Sequence, residues 1–338
     1  KNFVVTQLHT EMCHPRPARM QRHRGKVQMV SLVGIDRRNP GKCHGGSGFL
    51  ALARSYNNLK FNLFKIYWPW QIAGVKLREK NGAQVLVDLK NSYMYGLQDI
   101  RQRGRENAWE YYFRQPAEGY SLDEVYQSKN VMKCDTYYWC NPKWYDMFPA
   151  EKETLHKWGY LIRKYFRLTE ELQKKCEELY DKIIKGRGRV LGICIRNNFS
   201  VLDITGAGLS HNHPRQPELV RFIDEIYKCM QLWKCDYIYA MTDDTYAMQE
   251  LQQEFGDKCL RIERNLSTNF KEGQPVKLAE DRAPEGDTVE NNKAYICDTY
   301  LLSKCTALLS GNCGGGRMAY YWNNGQYENV KVFQDGNY

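Results

Sequence analysis

Several signatures that would fix a functional class are missing from this 338-residue sequence. It has no run of about eighteen apolar residues, the length that crosses a bilayer. Lys1–Val5 is too short and too soon polar for a secretory h-region. No C-x-x-C pair occurs among the twelve cysteines, which argues against a zinc ribbon or a thioredoxin-type motif. G-x-x-x-x-G-K-[ST] is absent, so a P-loop is excluded, and there is no G-x-S-x-G elbow, H-E-x-x-H or kinase set. Gly45-Gly46-Ser47-Gly48 does not match G-x-G-x-x-G, and no acidic residue follows the next strand where a dinucleotide ribose would need one, which disfavours NAD.

What is present describes a globular chain: 42% hydrophobic and 26% charged residues, enough length for two ordinary domains. Cys194, Cys229, Cys297 and Cys305 lie inside apolar runs, where a free thiol behaves as a small hydrophobe. Scattered cysteines in a chain this long fit reduced, structural thiols in a reducing compartment better than a disulfide framework. A cytoplasmic protein is the expectation.

The net charge of +10 is uneven, with eleven Lys/Arg in residues 1–60 against Glu11 and Asp36. Such a region suits an anionic membrane surface, a phosphate-bearing acceptor, or simply a solvated basic face. No zinc finger, basic zipper or RNP aromatic motif accompanies it, so nucleic acid is disfavoured.

The order of apolar runs gives the organisation. Lys26–Ile35 and Gln84–Leu89 read as buried strands, and Phe49–Lys60 as a helix behind the glycine-rich Gly45–Gly48. Aromatics crowd Asn107–Tyr145 without clear period, around Trp109, Tyr111, Tyr112, Phe113, Tyr137, Tyr138 and Trp139. They form either a core or a wall for a sugar, and core is the commoner outcome.

The second half alternates cleanly. A helix over Leu168–Gly186, opened by Thr169, carries the stripe Leu172, Cys176, Leu179 and Ile183. Arg189–Ile195 is a strand buried on both faces. Glu218–Trp233 is a helix whose face is expected to be Val220, Ile223, Tyr227 and Met230. Asp236–Met241 is the next strand and Thr245–Phe255 the next helix. Cys259–Ile262 (strand), Asn292–Lys304 (helix) and Thr306–Ser310 (strand) follow, before Gly311–Gly316 opens into a helix over Arg317–Trp322. This alternation predicts βαβ units on a parallel sheet.

Ligands of open α/β sheets bind beyond the carboxyl ends of the strands, where strand order switches. Three strand ends carry suitable groups: Arg196-Asn197-Asn198, Thr242-Asp243-Asp244 and Gly311–Gly316. A glycine-rich turn before a helix offers backbone N–H groups to phosphate, and an Arg at a neighbouring strand end can grip a diphosphate. Asp243 and Asp244, adjacent at a strand end, are expected to cap the following helix rather than bind a metal.

The blocks Val190–Arg196 (VLGICIR), His213-Pro214, Tyr237–Asp244 (YIYAMTDD), Ile296–Ser303 (ICDTYLLS) and Gly311–Tyr320 together resemble the fucosyltransferase superfamily, which includes α1,6-, nodulation and protein O-fucosyltransferases. The similarity spans about 130 residues, as the endpoints of those blocks delimit. Asn107–Phe113 and Gly119–Val125 look like a bacterial branch encoded with surface-polysaccharide enzymes. The resemblance implies a GT-B-like fold with two Rossmann-like domains facing across a cleft: residues 1–165 on the acceptor side, residues 166–338 holding the donor. It further implies an inverting glycosyltransferase with no metal and no cofactor beyond a nucleotide-sugar co-substrate, GDP-fucose being favoured. The acceptor would be a polysaccharide or a lipid-linked oligosaccharide, with peripheral contact at the inner face of the membrane.

Carried over by position, Arg196 would hold the donor diphosphate and neutralise the leaving nucleotide, and Asp298 would meet a guanine edge. Cys313, Gly314 and Gly315 would supply backbone donors to phosphate, with Arg317 beside them. His213 would lie near a sugar, and Gly45, Gly46 and Gly48 would face the cleft. The sequence departs from the pattern in two places: Arg196 is followed by Asn197-Asn198-Phe199-Ser200, without an acidic residue, and the phosphate turn has glycines where the family has hydroxyls. Glu280, Asp281 and Asp203 are candidates for the base that an inverting transfer requires. The alternative expectation is a non-catalytic nucleotide- or polyanion-binding protein on the same fold.

Overall fold

The computed structural model describes residues 2–7, 83–88, 108–116, 119–120, 122–127, 131–135, 148–196, 214–266 and 288–336. Strands β1 (Asn2–Gln7), β2 (Ala83–Asp88) and β3 (Val131–Asp135) form a parallel three-stranded sheet with β1 in the centre. The run expected at Gln84–Leu89 is therefore a strand, shifted by one residue. The strand and helix expected at Lys26–Ile35 and Phe49–Lys60 lie outside the described residues. A short helix, α1 (Leu122–Gln127), precedes β3.

The second sheet has five parallel strands: β4 (Val190–Ile195), β5 (Tyr237–Thr242), β6 (Cys259–Leu260), β7 (Ala307–Ser310) and β8 (Asn329–Val332). Their order is β6-β5-β4-β7-β8, and every neighbouring pair is parallel. Every residue of β4 and β7 is buried, because helices cover both faces.

Side chains alternate between two cores, as the strand period of two requires. Leu191, Ile193, Ile195, Ile238, Ala240, Ala307 and Leu309 share one core with Phe222, Ile226 and Cys229 of α4 (Leu219–Trp233) and Leu251 of α5 (Thr245–Phe255). Val190, Cys194, Tyr239, Met241 and Leu308 enter the other. There they meet α2 (Lys152–Tyr165), α3 (Glu170–Ile183), α6 (Thr288–Leu302) and α7 (Gly314–Asn323). The result is a doubly wound α/β sheet.

Local signals explain most boundaries. Thr169 caps α3 by accepting from Leu172 N at 3.4 Å, and Asp244 caps α5 by accepting from Tyr246 N at 2.9 Å. The α3 stripe is as expected, with Leu172 and Cys176 fully buried. Trp109, Tyr112 and Phe113 are all 0% exposed. Trp109 packs 4.7 Å from Phe113 and 5.3 Å from Phe166, so these three aromatics are core and not a sugar wall.

The structure corrects three expectations. The fully buried face of α4 is Phe222, Ile226 and Cys229; of the expected residues Ile223 and Met230 are half-buried against the same core, while Val220 and Tyr227 are 64% and 48% exposed. The helix is turned by about one residue because the Phe222 ring is drawn onto Phe333, 4.7 Å away beyond β8. The last helix also begins at Gly314 and not at Arg317, so the glycines are its first turn. Helix α6 starts at Thr288, a turn earlier than expected.

Candidate functional site

The chain enters the five-stranded sheet at β4, runs outward through β5 and β6, then returns to the other side of β4 for β7 and β8. Strand order thus switches between β4 and β7, and all strands point the same way. Their carboxyl ends bring together Arg196, Thr242-Asp243-Asp244 and Gly311–Gly316. Three segments selected from sequence are thereby placed at one edge, around one switch point.

The two flanks of that point are tied closely. Cys194 pairs with Ser310 in register, and Gly311 N donates to Cys194 O at 3.1 Å. Cys313, the N-cap of α7, puts its Sγ 3.6 Å from Cys194 Sγ. Arg196 lies close enough to help lower the Cys313 pKa. On the far side the segment returning to α4 is docked by buried Gln216, whose Nε2 donates to Asn312 O at 3.0 Å and Pro214 O at 3.2 Å.

The glycines are not equivalent. A Cβ on Gly315 would lie 2.7 Å from Tyr295 Oη and 3.1 Å from Met241 Cε, and one on Gly316 would strike the Ser310 side chain. Packing of α7 against the strand ends therefore requires both. A Cβ on Gly314 would meet nothing within 4 Å. Gly314 stands over open space with the first N–H groups of α7, which have no partners inside the helix.

Arg317 is 3% exposed; it donates to Asn312 Oδ1 at 2.6 Å, and its guanidinium sits 5.7 Å from the Phe148 ring centre. It braces the Gly311–Cys313 turn from within. Asp298, on α6, is 2% exposed and has both oxygens engaged: Oδ1 accepts from Tyr239 Oη and Oδ2 from Arg264 Nε, each at 2.7 Å. Burial pushes its carboxyl upward against the pull of Arg264 and Tyr239. Asp244 is the helix cap expected; Asp243 instead accepts from Arg264 Nη1 at 3.2 Å.

Arg264 is the residue that sequence reasoning passed over. It donates to Thr242 O at 2.7 Å and lies 5.6 Å from the Tyr295 ring centre. Burial opposes its charge, but Asp298 and Asp243 outweigh burial and hold it above the usual arginine range. Arg264 lies four residues beyond the end of β6, whereas Arg196 follows β4 directly. His213, Gly45, Gly46, Gly48, Asp203, Glu280 and Asp281 lie outside the described residues. No group of three or more His, Cys, Asp or Glu suited to a metal ion occurs among the described residues, and no described helix is long and apolar enough to cross a membrane.

No protein-family model matches the sequence, and no curated protein matches it. Among solved structures the chain is similar to NodZ alpha-1,6-fucosyltransferase soaked with GDP-fucose, at 13% identity and a TM-score of 0.42, covering 74% of this chain and 86% of that one. It is similar to fucosyltransferase NodZ from Bradyrhizobium at 12% identity and a TM-score of 0.39, covering 73% and 85%. It is also similar to POFUT1 in complex with GDP-fucose at 9% identity and a TM-score of 0.36, covering 78% and 68%.

Proposed function

We propose that this chain is a nucleotide-sugar-dependent glycosyltransferase that holds the donor diphosphate between Arg196 and the Cys313–Gly315 turn. In this reading residues 166–338 are the donor half of a GT-B-like pair and residues 1–165 the acceptor half. One observation carries it: Gly314 has no packing reason to be glycine, yet it opens a helix at the switch point beside Arg196. A bare backbone there lets a phosphate approach the N–H groups directly.

The chemistry follows from charge. As the glycosidic bond to the donor breaks, negative charge collects on the departing diphosphate. Arg196 and the aligned N–H groups of Cys313, Gly314 and Gly315 stabilise that charge as it forms, supplying the field that a metal supplies elsewhere. Arg317 and Asn312 hold the turn in place, and Asp298 anchors Arg264 rather than reaching the base of the nucleotide. The resemblance described above makes GDP-fucose the first donor to try. A glycan or lipid-linked oligosaccharide acceptor suits the basic residues 1–60, which would lie near an anionic membrane surface.

Thermal shift with GDP, UDP, CDP and NAD tests the binding. One nucleoside diphosphate should stabilise the chain selectively, by about 2.7 kcal/mol at a hundred times its Kd. Arg196→Ala should weaken that ligand about ten- to hundredfold, the worth of a hydrogen bond to a charged group. A chain indifferent to all diphosphates overturns the reading. Release of nucleotide from GDP-fucose in the presence of acceptor then separates turnover from mere binding.

A further inference from the structure

Eight cysteines have described side chains, all free, and two pairs of them are in sulfur–sulfur contact. Cys176 on α3 and Cys297 on α6 approach to 3.3 Å, and Cys194 on β4 and Cys313 at the N-cap of α7 to 3.6 Å. By distance the pairs are alike. Their surroundings differ.

The first pair is enclosed between two helices among apolar neighbours. The hydrogen bond with Cys297 and burial push the Cys176 thiol far above the ordinary range, so Cys176 carries no thiolate. The second pair lies at the N-terminus of α7, within electrostatic reach of two guanidinium groups, Arg196 and Arg317. A thiol at a helix N-terminus next to cations is the arrangement that favours thiolate. The contact with Cys194 first, then the Gly316 backbone, Arg196 and Arg317, bring the Cys313 thiol down to about 6 against the effect of burial. Cys194 is correspondingly pushed up, first by its hydrogen bond with Cys313 and then by burial.

We propose that Cys194 and Cys313 are a reversible dithiol–disulfide site at the strand-order switch point, closed by hydrogen peroxide and reopened by a thiol reductant. The Cys313 thiolate attacks one peroxide oxygen; the S–O bond forms, the O–O bond breaks, and hydroxide leaves with the electron pair. Cys194 sulfur then attacks the sulfenic sulfur of Cys313, forming S–S and releasing the oxygen as water with the Cys194 proton. Two thiols have lost two electrons and one peroxide has become two waters. The sulfurs need only close from 3.6 Å to a bond of about 2.05 Å, and the backbones are already joined through Cys194 O and Gly311 N. The bond pins the start of α7 to the end of β4. This inference stands on the thiols and not on the nucleotide reading.

Exposure alone makes a different prediction. Cys194 and Cys313 are 4% and 5% exposed, so only a small oxidant reaches them. Cys259 is more exposed, but burial still pushes its thiol up to about 11.

The experiment is a peroxide titration of the reduced full-length chain, quenched with N-ethylmaleimide in denaturant and read by mass spectrometry of a non-reducing digest. A Cys194–Cys313 cross-linked peptide should appear first and vanish on adding dithiothreitol, while Cys176, Cys297 and Cys259 remain alkylated. In Cys194→Ser the cross-link should be lost and Cys313 trapped as a sulfenic acid by dimedone. Cys194 and Cys313 persisting as alkylated thiols, or a Cys176–Cys297 cross-link forming first, overturns the proposal. Equal dimedone labelling of Cys259 and Cys313 in Cys194→Ser overturns it as well.

Discussion

The Nε–H of Arg264 lies 2.7 Å from Oδ2 of Asp298, and both side chains are 3% exposed. This pair, with Asp243 and the carbonyl of Thr242, ties the loop after β6 to α6 and to the end of β5. Removing one member of a buried ion pair strands the other's charge without solvent. Arg264→Met should therefore destabilise the chain by about 3–5 kcal/mol, and Arg264→Met with Asp298→Leu by much less than twice that. Urea denaturation of both variants measures it. A single variant within 1 kcal/mol of wild type, by about the scatter of ordinary surface changes, would show that water reaches the pair.

The three glycines at the head of α7 separate folding from binding. Gly315→Ala and Gly316→Ala drive a methyl into Tyr295 and Ser310 respectively, and such overpacking costs about 1–3 kcal/mol. Gly314→Ala meets nothing and should leave stability unchanged or slightly raised, since alanine is the better helix former. If a diphosphate approaches this turn, Gly314→Ala should nevertheless weaken its binding. Denaturation and nucleotide titration of the three variants give the two orderings; identical behaviour of all three would remove the special status of Gly314.

Legibility from sequence followed burial. β4, β5 and β7 could be read because strands covered on both faces are continuous apolar runs, and α5 could be placed to the residue because Asp244 caps it. β8 was not read: its NVKV pattern is that of an edge strand, with one face partly wet. The start of α7 was misplaced by three residues because glycine is a poor helix former. Here tertiary contact outweighs propensity, since only glycine lets α7 settle onto Ser310 and Tyr295. The position of Arg196, Cys313 and the glycines at strand ends was legible in the sequence. Arg264 carries no such signal: it lies four residues beyond β6, and its role comes from tertiary partners, Asp298, Asp243 and the Thr242 carbonyl.

The rotation of α4 can be checked directly. Phe222 is 1% exposed and stacked near Phe333, whereas Val220 is 64% exposed. Phe222→Ala should cost about 3–5 kcal/mol, and Val220→Ser should stay within about 0.5 kcal/mol of wild type. Comparable losses in denaturant midpoint for both would restore the face read from sequence.

The thiolate of Cys313 and a bound diphosphate would compete for the same positive field. Cys313 is lowered from the ordinary thiol value to about 6, first through Cys194 and then through the Gly316 backbone, Arg196 and Arg317. Tyr295 of α6 faces the same sulfurs, and Asp298 and Asp243 lie within electrostatic reach of Cys194. As pH rises through about 6, Cys313 loses its proton and the start of α7 gains a negative charge beside the proposed phosphate position. An anionic ligand prefers the protonated thiol, so its binding should tighten toward low pH and weaken as the thiolate forms. The ligand's own phosphate ionises in the same range, which is why the comparison is between proteins. Cys313→Ser keeps the N-cap shape without the charge, and its nucleotide affinity relative to wild type should rise from pH 5 to pH 8. Calorimetric titration of reduced wild type and Cys313→Ser at both pH values gives that ratio. A ratio that stays constant means that the diphosphate and the Cys313 sulfur do not share a site, which would separate the nucleotide from the α7 turn.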